Sequence, residues 1–224
     1  MILMPEIKKT ERDLMGQFTI TFIDKDDGKE FTKVFTELRA GISWPARAFP
    51  GYLCIVGLFA GAAFGKENSF MLVYEKEYEN AVELMSDAYN RAADLRFQKF
   101  YTNLQLTDWK GYNFEFHRKI RSNLGARDIR LMDSPLASDF AYGKDVIKRL
   151  ANQKAFLIPS DSLLMTQLRD IRPEDLKAER AGDKFDAING FRFLIVAWDL
   201  QVNAAARRQG PSNEGERGSV LGWS

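Results

Sequence analysis

A ten-residue apolar run, GYLCIVGLFA, occupies positions 51 to 60 and constrains the fold more than any other stretch of the chain. Continuous apolarity over this length is typical of a strand buried on both faces, in a sheet that helices cover on both sides. The ends of such strands usually carry the chemistry of α/β proteins. Because this run ends in Leu58, Phe59 and Ala60, we expect no metal ligand or proton-transfer group at its end.

Composition limits the classes of function and the location. The chain has 224 residues, which suits one α/β domain with appendages. Lys and Arg number 32 and Asp and Glu 31, so no global field attracts nucleic acid or an anionic membrane. The single cysteine, Cys54, lies in the apolar run, which predicts an inert thiol and a reducing cytoplasm. Without a signal peptide or a long apolar segment, we expect no membrane association.

The patterns divide the chain into four segments. Residues 1–16 are expected to form a loosely attached arm. Residues 17–50 are predicted to contain a β-hairpin, closed by the Asp-Asp-Gly turn at 26–28, and a Pro- and Gly-rich connector, AGISWPARAFPG. Residues 51–206 are predicted to form the main domain, and the Gly-, Ser- and charge-rich residues 207–224 a flexible tail.

Strands and helices alternate within the main domain. After the apolar run, the predicted order is an antiparallel strand at 69–75, a helix at 79–97, a strand at 96–101, a helix at 112–123, a strand at 126–132, a helix from Ser138 to about Gln153, a strand at 155–158, a helix at 161–171 capped by Ser160 or Asp161, and an apolar helix from Phe185 to about Ala206. This order predicts an α/β fold whose sheet is mostly parallel with an antiparallel edge.

Carboxylates are the strongest candidates for chemistry. A zinc site is excluded because the chain offers only His117 and Cys54 as His and Cys ligands, and a catalytic triad is not indicated because no Ser lies in a G-x-S-x-G elbow. Asp183 and Asp186 are three residues apart at the start of the last helix, so they share one face. Such a pair could hold Mg²⁺ or Mn²⁺. Acidic residues also favour helix starts for electrostatic reasons alone, and the residues by themselves favour that simpler explanation.

Four stretches carry a family resemblance. They are PGYLCIVGLFAG, the segment NSFMLVYEKEYENAVELMSDAYNRAADLRFQKFYTNLQ, the segment SDFAYGKDVIKRLANQKAFLIPSDSLLMTQL, and GDKFDAINGFRFL. Together they resemble the C-terminal nuclease domain of phage terminase large subunits, the motors that package viral DNA. The resemblance implies an RNase H-like mixed sheet flanked by helices on both faces, preceded here by the N-terminal β-hairpin. It also implies DNA and the packaging motor and portal as partners, in the cytoplasm of a host cell.

The resemblance also implies a mechanism, two-metal hydrolysis of phosphodiesters by carboxylates from separate strands and the last helix. Carried over by position, the first carboxylate falls on Phe59 and the second on Asn103, neither of which is acidic. The last position, Asp186 with Asp183 beside it, keeps its acid, and Asp108 could act as a substitute ligand. We therefore expect a degenerate nuclease domain. Because 50 residues cannot contain the ATPase motor, we expect a free-standing protein or an excised piece.

Three functions remain open at this point. The first is a catalytically impaired packaging domain that acts by binding DNA or the packaging machinery and needs no cofactor. The second is an active endonuclease dependent on Mg²⁺ or Mn²⁺, with Asp186 and Asp183 as catalytic residues and Asp108 as a further ligand. The third is a protein-interaction scaffold without nucleic-acid binding. Lys144, Lys148, Arg207 and Arg208 are the candidate DNA-binding residues, although each could equally belong to a solvated helix face.

Overall fold

The computed structural model of the chain describes residues 3–45, 49–61, 66–104, 110–122, 129–136, 139–172 and 185–208. The strands are β1 (Glu6–Arg12), β2 (Phe18–Ile23), β3 (Glu30–Phe35), β4 (Glu37–Ser43), β5 (Gly51–Gly61), β6 (Lys66–Tyr78), β7 (Lys99–Thr102), β8 (Arg130–Asp133) and β9 (Phe156–Leu157). The helices are α1 (Ala81–Leu95), α2 (Lys110–Ser122), α3 (Phe140–Asn152), α4 (Leu163–Asp170) and α5 (Asp186–Arg208).

The central sheet has six strands in the order β8-β7-β4-β5-β6-β9. Strands β4, β5 and β6 form an antiparallel meander, β7 is parallel to β4, β8 is parallel to β7, and β9 is parallel to β6. Helices α1 and α2 cover one face, and α3, α4 and α5 cover the other. The predicted fold class is confirmed as a mixed sheet between two helical layers after an N-terminal hairpin, an arrangement consistent with an RNase H-like fold. The antiparallel strands were expected at an edge of the sheet, but they lie in its centre.

Strand β5 lies in the middle of this sheet, as its composition predicts. Its side chains from Leu53 to Val56 are completely buried. Cys54 is among them, and burial raises the pKa of its thiol, so it is an inert core residue. None of the helices among the described ranges is both long enough and apolar enough to span a bilayer.

A second, three-stranded sheet, β1-β2-β3, packs against the central one. The β2–β3 pair is the predicted hairpin. Its Phe35 ring lies against Gly57 of β5 and makes an edge contact with Phe59, with ring centroids 6.0 Å apart. Residues 6–12 were expected in a loosely attached arm, but they form β1, paired antiparallel with β2. The sequence EIKKTER hides this strand because only one large apolar side chain, Ile7, marks it.

Strand β4 is the largest difference between the predicted and the observed fold, because residues 40–51 were expected to form a connector. Residues 37–43 instead form a strand in the middle of the sheet, hydrogen-bonded to β5 on one side and β7 on the other. Its Gly41 suggested a turn, but the glycine is there because α5 passes so close. A Cβ at this position would overlap the carbonyl oxygen of Gly190.

Helix ends differ slightly from the predicted ones. Asp139 is the N-cap of α3 and accepts from the Tyr142 N–H, rather than lying in the first turn. Ser162 caps α4, not Ser160 or Asp161, and Asp161 instead accepts from the Met4 N–H. Helix α5 continues to Arg208, two residues beyond its predicted end. The division of the chain into four segments stays a prediction. Strand β1 lies in the first segment, residues 1–16, and strand β4 in the second, residues 17–50, so both contain regular structure that was not expected there.

Candidate functional site

Strands β4 and β7 are parallel neighbours, and the chain order reverses between them. From β4 the chain turns to β5 on one side, whereas β7 and β8 follow on the other. In open α/β sheets, ligand sites form outside the carboxyl ends of strands at such a switch point. Gly41 pairs with Tyr101, so the register, continued by two residues, places Ser43 beside Asn103. We call this end of the sheet the carboxyl edge, and the end where β4 and β7 begin the amino edge.

Helix α5 brings Asp186 to the carboxyl edge. Gly190, one turn after Asp186, lies against Gly41 of β4, while Trp198 donates to Glu37 at the amino edge. The helix therefore runs antiparallel to β4 and begins above the end of that strand. Ser43 pairs with Tyr52 of β5, whose pKa is raised mainly by burial and to a smaller extent by the charge of Asp186. Because Gly41, Ser43 and Tyr52 share one face, that face carries the site.

The carboxyl group of Asp186 is buried and held by one neighbour. The residue is 3% exposed, and its Oδ1 accepts from the Gln167 amide at 2.6 Å. The Gln167 carbonyl oxygen accepts from the N–H groups of Ala187 and Ile188, so Gln167 also caps α5. Within the described ranges, Oδ2 of Asp186 has no hydrogen-bond partner. Burial raises the pKa of Asp186, and the Gln167 hydrogen bond opposes this rise.

Two further carboxylates lie on the same face, and sequence reasoning did not select them. Glu77 pairs with Tyr52, and its pKa is raised by partial burial and then by the charge of Asp186. Glu75 accepts from the Tyr52 hydroxyl at 2.6 Å and from the Leu163 N–H at 2.6 Å, so it anchors the start of α4. The two acids are two residues apart, but the predicted strand at 69–75 ended at Glu75, whereas β6 continues to Tyr78 and includes Glu77.

The other predicted site residues are distributed as follows. Asp183 and Asp108 lie outside the described residues. Lys144 and Lys148 are one turn apart on α3, with Lys144 half-buried and Lys148 exposed. Arg207 and Arg208 end α5. Helix α3 is tied to α5 by an ion pair of 2.7 Å between Arg149 and Asp199.

Phe59 is not at the carboxyl edge, so the identification of Phe59 with the first carboxylate position is wrong. Strand β5 is antiparallel to β4, and it therefore ends at the amino edge, where Phe59 packs against Phe35. At the carboxyl edge, the end of β4 presents Ser43 and the end of β7 is followed by Asn103, both buried. Two neutral side chains therefore lie at the ends of β4 and β7, at the edge where α5 begins with Asp186.

The donor set among the described residues does not fit the two-ion site that the resemblance implies. No group of three or more His, Cys, Asp or Glu side chains in that part of the chain is arranged to hold a metal ion. Mg²⁺ and Mn²⁺ prefer carboxylate oxygens. Ser43 and Asn103 offer neutral oxygens, and Glu75 is engaged with α4. Asp186 therefore lacks the second and third anionic ligands at the strand ends.

Comparisons with known proteins gave one match. No protein-family model matches the chain, and no curated protein matches it. A solved structure, described as the large terminase nuclease from thermophilic phage G20c with bound zinc, is similar with a TM-score of 0.49 and 13% sequence identity. The match covers 88% of this chain and 94% of that one.

Asp186→Asn is expected to stabilise the protein at neutral pH by about 1 kcal/mol, since it removes a buried charge but keeps an acceptor for Gln167. Because folding raises the pKa of Asp186 above 3.8, the wild-type carboxyl favours folding while it is protonated, and this contribution is lost as pH rises through the raised value. Urea unfolding should therefore show no gain for the variant near about pH 4 and the full gain near about pH 7.5. An equal gain in the free energy of unfolding at both pH values would contradict a raised pKa of Asp186 in the folded protein.

Proposed function

We propose that this chain is a nuclease-like domain of the terminase type that acts in viral DNA packaging in the host cytoplasm and has lost efficient cleavage. One observation carries the proposal: Ser43 and Asn103, the residues at the ends of β4 and β7, are neutral, and α5 begins with Asp186 at the same edge. The four stretches that resemble the terminase nuclease domain support the same function. Three of them include β5, β7 or α5, which are elements of this site or adjoin it.

The loss of cleavage follows from charge. Two-metal hydrolysis requires carboxylates that offset the charges of two divalent ions held close together. Neutral oxygens from Ser43 and Asn103 supply no such charge, and burial favours the protonated form of Asp186. Each missing anionic ligand weakens the affinity for a hard cation. The domain would then act by binding DNA or packaging proteins, with Lys144 and Lys148 on α3 and Arg207 and Arg208 at the end of α5 as the DNA-binding residues.

An active metal-dependent endonuclease is the second candidate. It is favoured by the buried Oδ2 of Asp186, which has no partner within the described ranges, and by the nearby carboxylate of Glu77. In this version Asp183 and Asp108 would complete the ligand set. A scaffold that binds only proteins is the third candidate, and the formal net charge of +1 favours it over a DNA-binding role.

A cleavage assay and a DNA-retention assay together separate the three. The proposal expects no cleavage of supercoiled plasmid in Mn²⁺ above that of an Asp186→Ala control, together with retention on duplex DNA that weakens as salt rises. Lys144→Ala/Lys148→Ala should reduce retention, whereas Lys8→Ala/Lys9→Ala, a matched loss of two exposed cations on β1, should have a smaller effect. Cleavage that Asp186→Ala abolishes would support the endonuclease. Absence of retention at low salt would support the scaffold.

A further inference from the structure

A cleft of about 360 Å³ opens at the amino edge, between the small sheet and the central one. Arg12 and Phe18 line it from the small sheet, and the segment from Arg96 to Lys99, which connects α1 to β7, lines it from the other side. Leu58 of β5 also lines the cleft, six residues from Tyr52 at the carboxyl edge. Six residues of strand span roughly 20 Å, so this cleft is separate from the site around Asp186.

The charges of the cleft do not balance. Its lining holds three cations, Arg12, Arg96 and Lys99, and one carboxylate, Glu37, so the lining has a net charge of +2. Glu37 is already shared by Lys99 at 3.1 Å and by Arg39 at 2.8 Å. Among the described residues, no carboxylate forms an ion pair with Arg12 or Arg96. Two guanidinium groups in one concave surface therefore remain available to an anion.

Both arginines are positioned by local structure. The Arg12 guanidinium lies 5.0 Å from the centroid of the Phe18 ring, in a cation–π contact. Arg96 follows α1 with a left-handed backbone, at a φ of 55°, and this turn leads the chain into β7 along the wall of the cleft. Guanidinium groups bind phosphate oxygens in a bidentate manner. Leu58, which is half-buried, provides apolar surface for the rest of a ligand, and the nearly buried Phe18, Leu38 and Phe97 complete the apolar part of the wall.

We propose that this cleft binds a phosphate monoester of nucleotide size, with the phosphate on Arg12 and Arg96. A phosphate monoester carries about −1.5 to −2 charges at neutral pH, which matches the lining, whereas a carboxylate would leave one guanidinium unpaired. The volume lies at the lower end of the range of roughly 300–1,000 Å³ for small-molecule sites. A free mononucleotide and the 5′-phosphorylated end of a nucleic-acid strand share this chemistry. The site does not depend on the proposed nuclease-like function.

Arg96→Gly is the decisive variant because glycine suits a left-handed backbone better than arginine does. Calorimetric titration of the full chain at low salt should show binding of thymidine 5′-monophosphate and none of thymidine. Arg96→Gly and Arg12→Ala should each weaken the monophosphate affinity by about tenfold or more. Arg96→Gly should not lower the melting temperature. Lys29→Ala, which removes an exposed cation on the β2–β3 turn, should leave the affinity unchanged.

Any one of three results would overturn the assignment of this cleft as a phosphate site. They are no binding of thymidine 5′-monophosphate at millimolar concentration, equal binding of thymidine, and unchanged affinity in both arginine variants. A pair of short oligonucleotides, one with a 5′-phosphate and one with a 5′-hydroxyl, identifies the source of the ligand. Much tighter binding of the phosphorylated strand than of the mononucleotide indicates a strand end, and equal binding indicates a free nucleotide.

Discussion

Replacing Gly41 by alanine is expected to destabilise the protein by roughly 3 kcal/mol or more, at the upper end of the cost of overpacking. A Cβ at this position would overlap the Gly190 carbonyl oxygen and lie 2.7 Å from the Gly190 carbonyl carbon and 3.0 Å from Leu194 Cδ2. Both Gly190 atoms are backbone, so relief requires α5 to move away from β4. Urea unfolding followed by circular dichroism measures this loss, and Gly41→Val should largely abolish folding.

Gly111→Ala is the matched control for this substitution. Gly111 lies in α2, and no heavy atom of the described residues would lie within 4 Å of a Cβ there. Alanine has the better helix propensity, so this variant should gain up to about 1 kcal/mol. A cost for Gly41→Ala below about 1 kcal/mol would show that α5 does not rest on β4 as described, and Asp186 would then lose its place at the carboxyl edge.

The elements with strong periodicity were predictable from sequence. The apolar residues of β5 and the apolar stretch of α5 from Phe193 to Trp198 leave few alternatives to burial. In α1, the buried residues Leu84, Met85, Ala88, Ala92 and Leu95 recur at helical spacing. In each case the pattern lies within one segment, so no knowledge of distant partners was needed.

Strand β4 was not predictable because distant residues make it a strand. Arg39 and Ser43 are polar but buried. Arg39 is accommodated by Glu37 and Gln201, with its guanidinium 4.6 Å from the centroid of the Trp198 ring. Two of these partners belong to α5, which follows about 160 residues later. No local window contains this information, and the glycine and prolines nearby resemble a connector.

The error in β4 carried over to the candidate site. With β4 assigned to a connector, β5 became the first strand of the sheet, and Phe59 was matched to the first carboxylate position. With β4 in the sheet, β5 is no longer the first strand, and the carboxyl end of β4 lies at Ser43, at the other end of the sheet from Phe59. Asp186 was found because it lies in a recognisable segment, whereas Glu77 depends on the β5–β6 register and was missed.

Ser43→Asp combined with Asn103→Asp is expected to convert the protein into one that Mn²⁺ stabilises. The two acids would join Asp186 at the carboxyl edge and supply the charge that the strand ends lack. Saturation at about 100 times Kd adds about 2.7 kcal/mol, which is roughly 5–10 °C in melting temperature for a domain of this size. Without metal, repulsion among three buried carboxyl groups should make the variant less stable than wild type. Differential scanning fluorimetry with and without Mn²⁺ measures both effects.

The control variant Ser43→Asn, with Asn103 unchanged, tests whether the added negative charge causes the response to Mn²⁺. Asparagine has nearly the volume of aspartate and offers a neutral oxygen, so this variant should show almost no response to Mn²⁺. Wild type should respond as weakly, and plasmid cleavage should be measurable in the double aspartate variant alone. A large rise in the wild-type melting temperature with Mn²⁺ would mean that the carboxylates of this chain already hold the ion. The neutral strand ends would then not explain a loss of cleavage. If Mn²⁺ leaves the melting temperature of the double variant unchanged, positions 43, 103 and 186 are too far apart to share an ion.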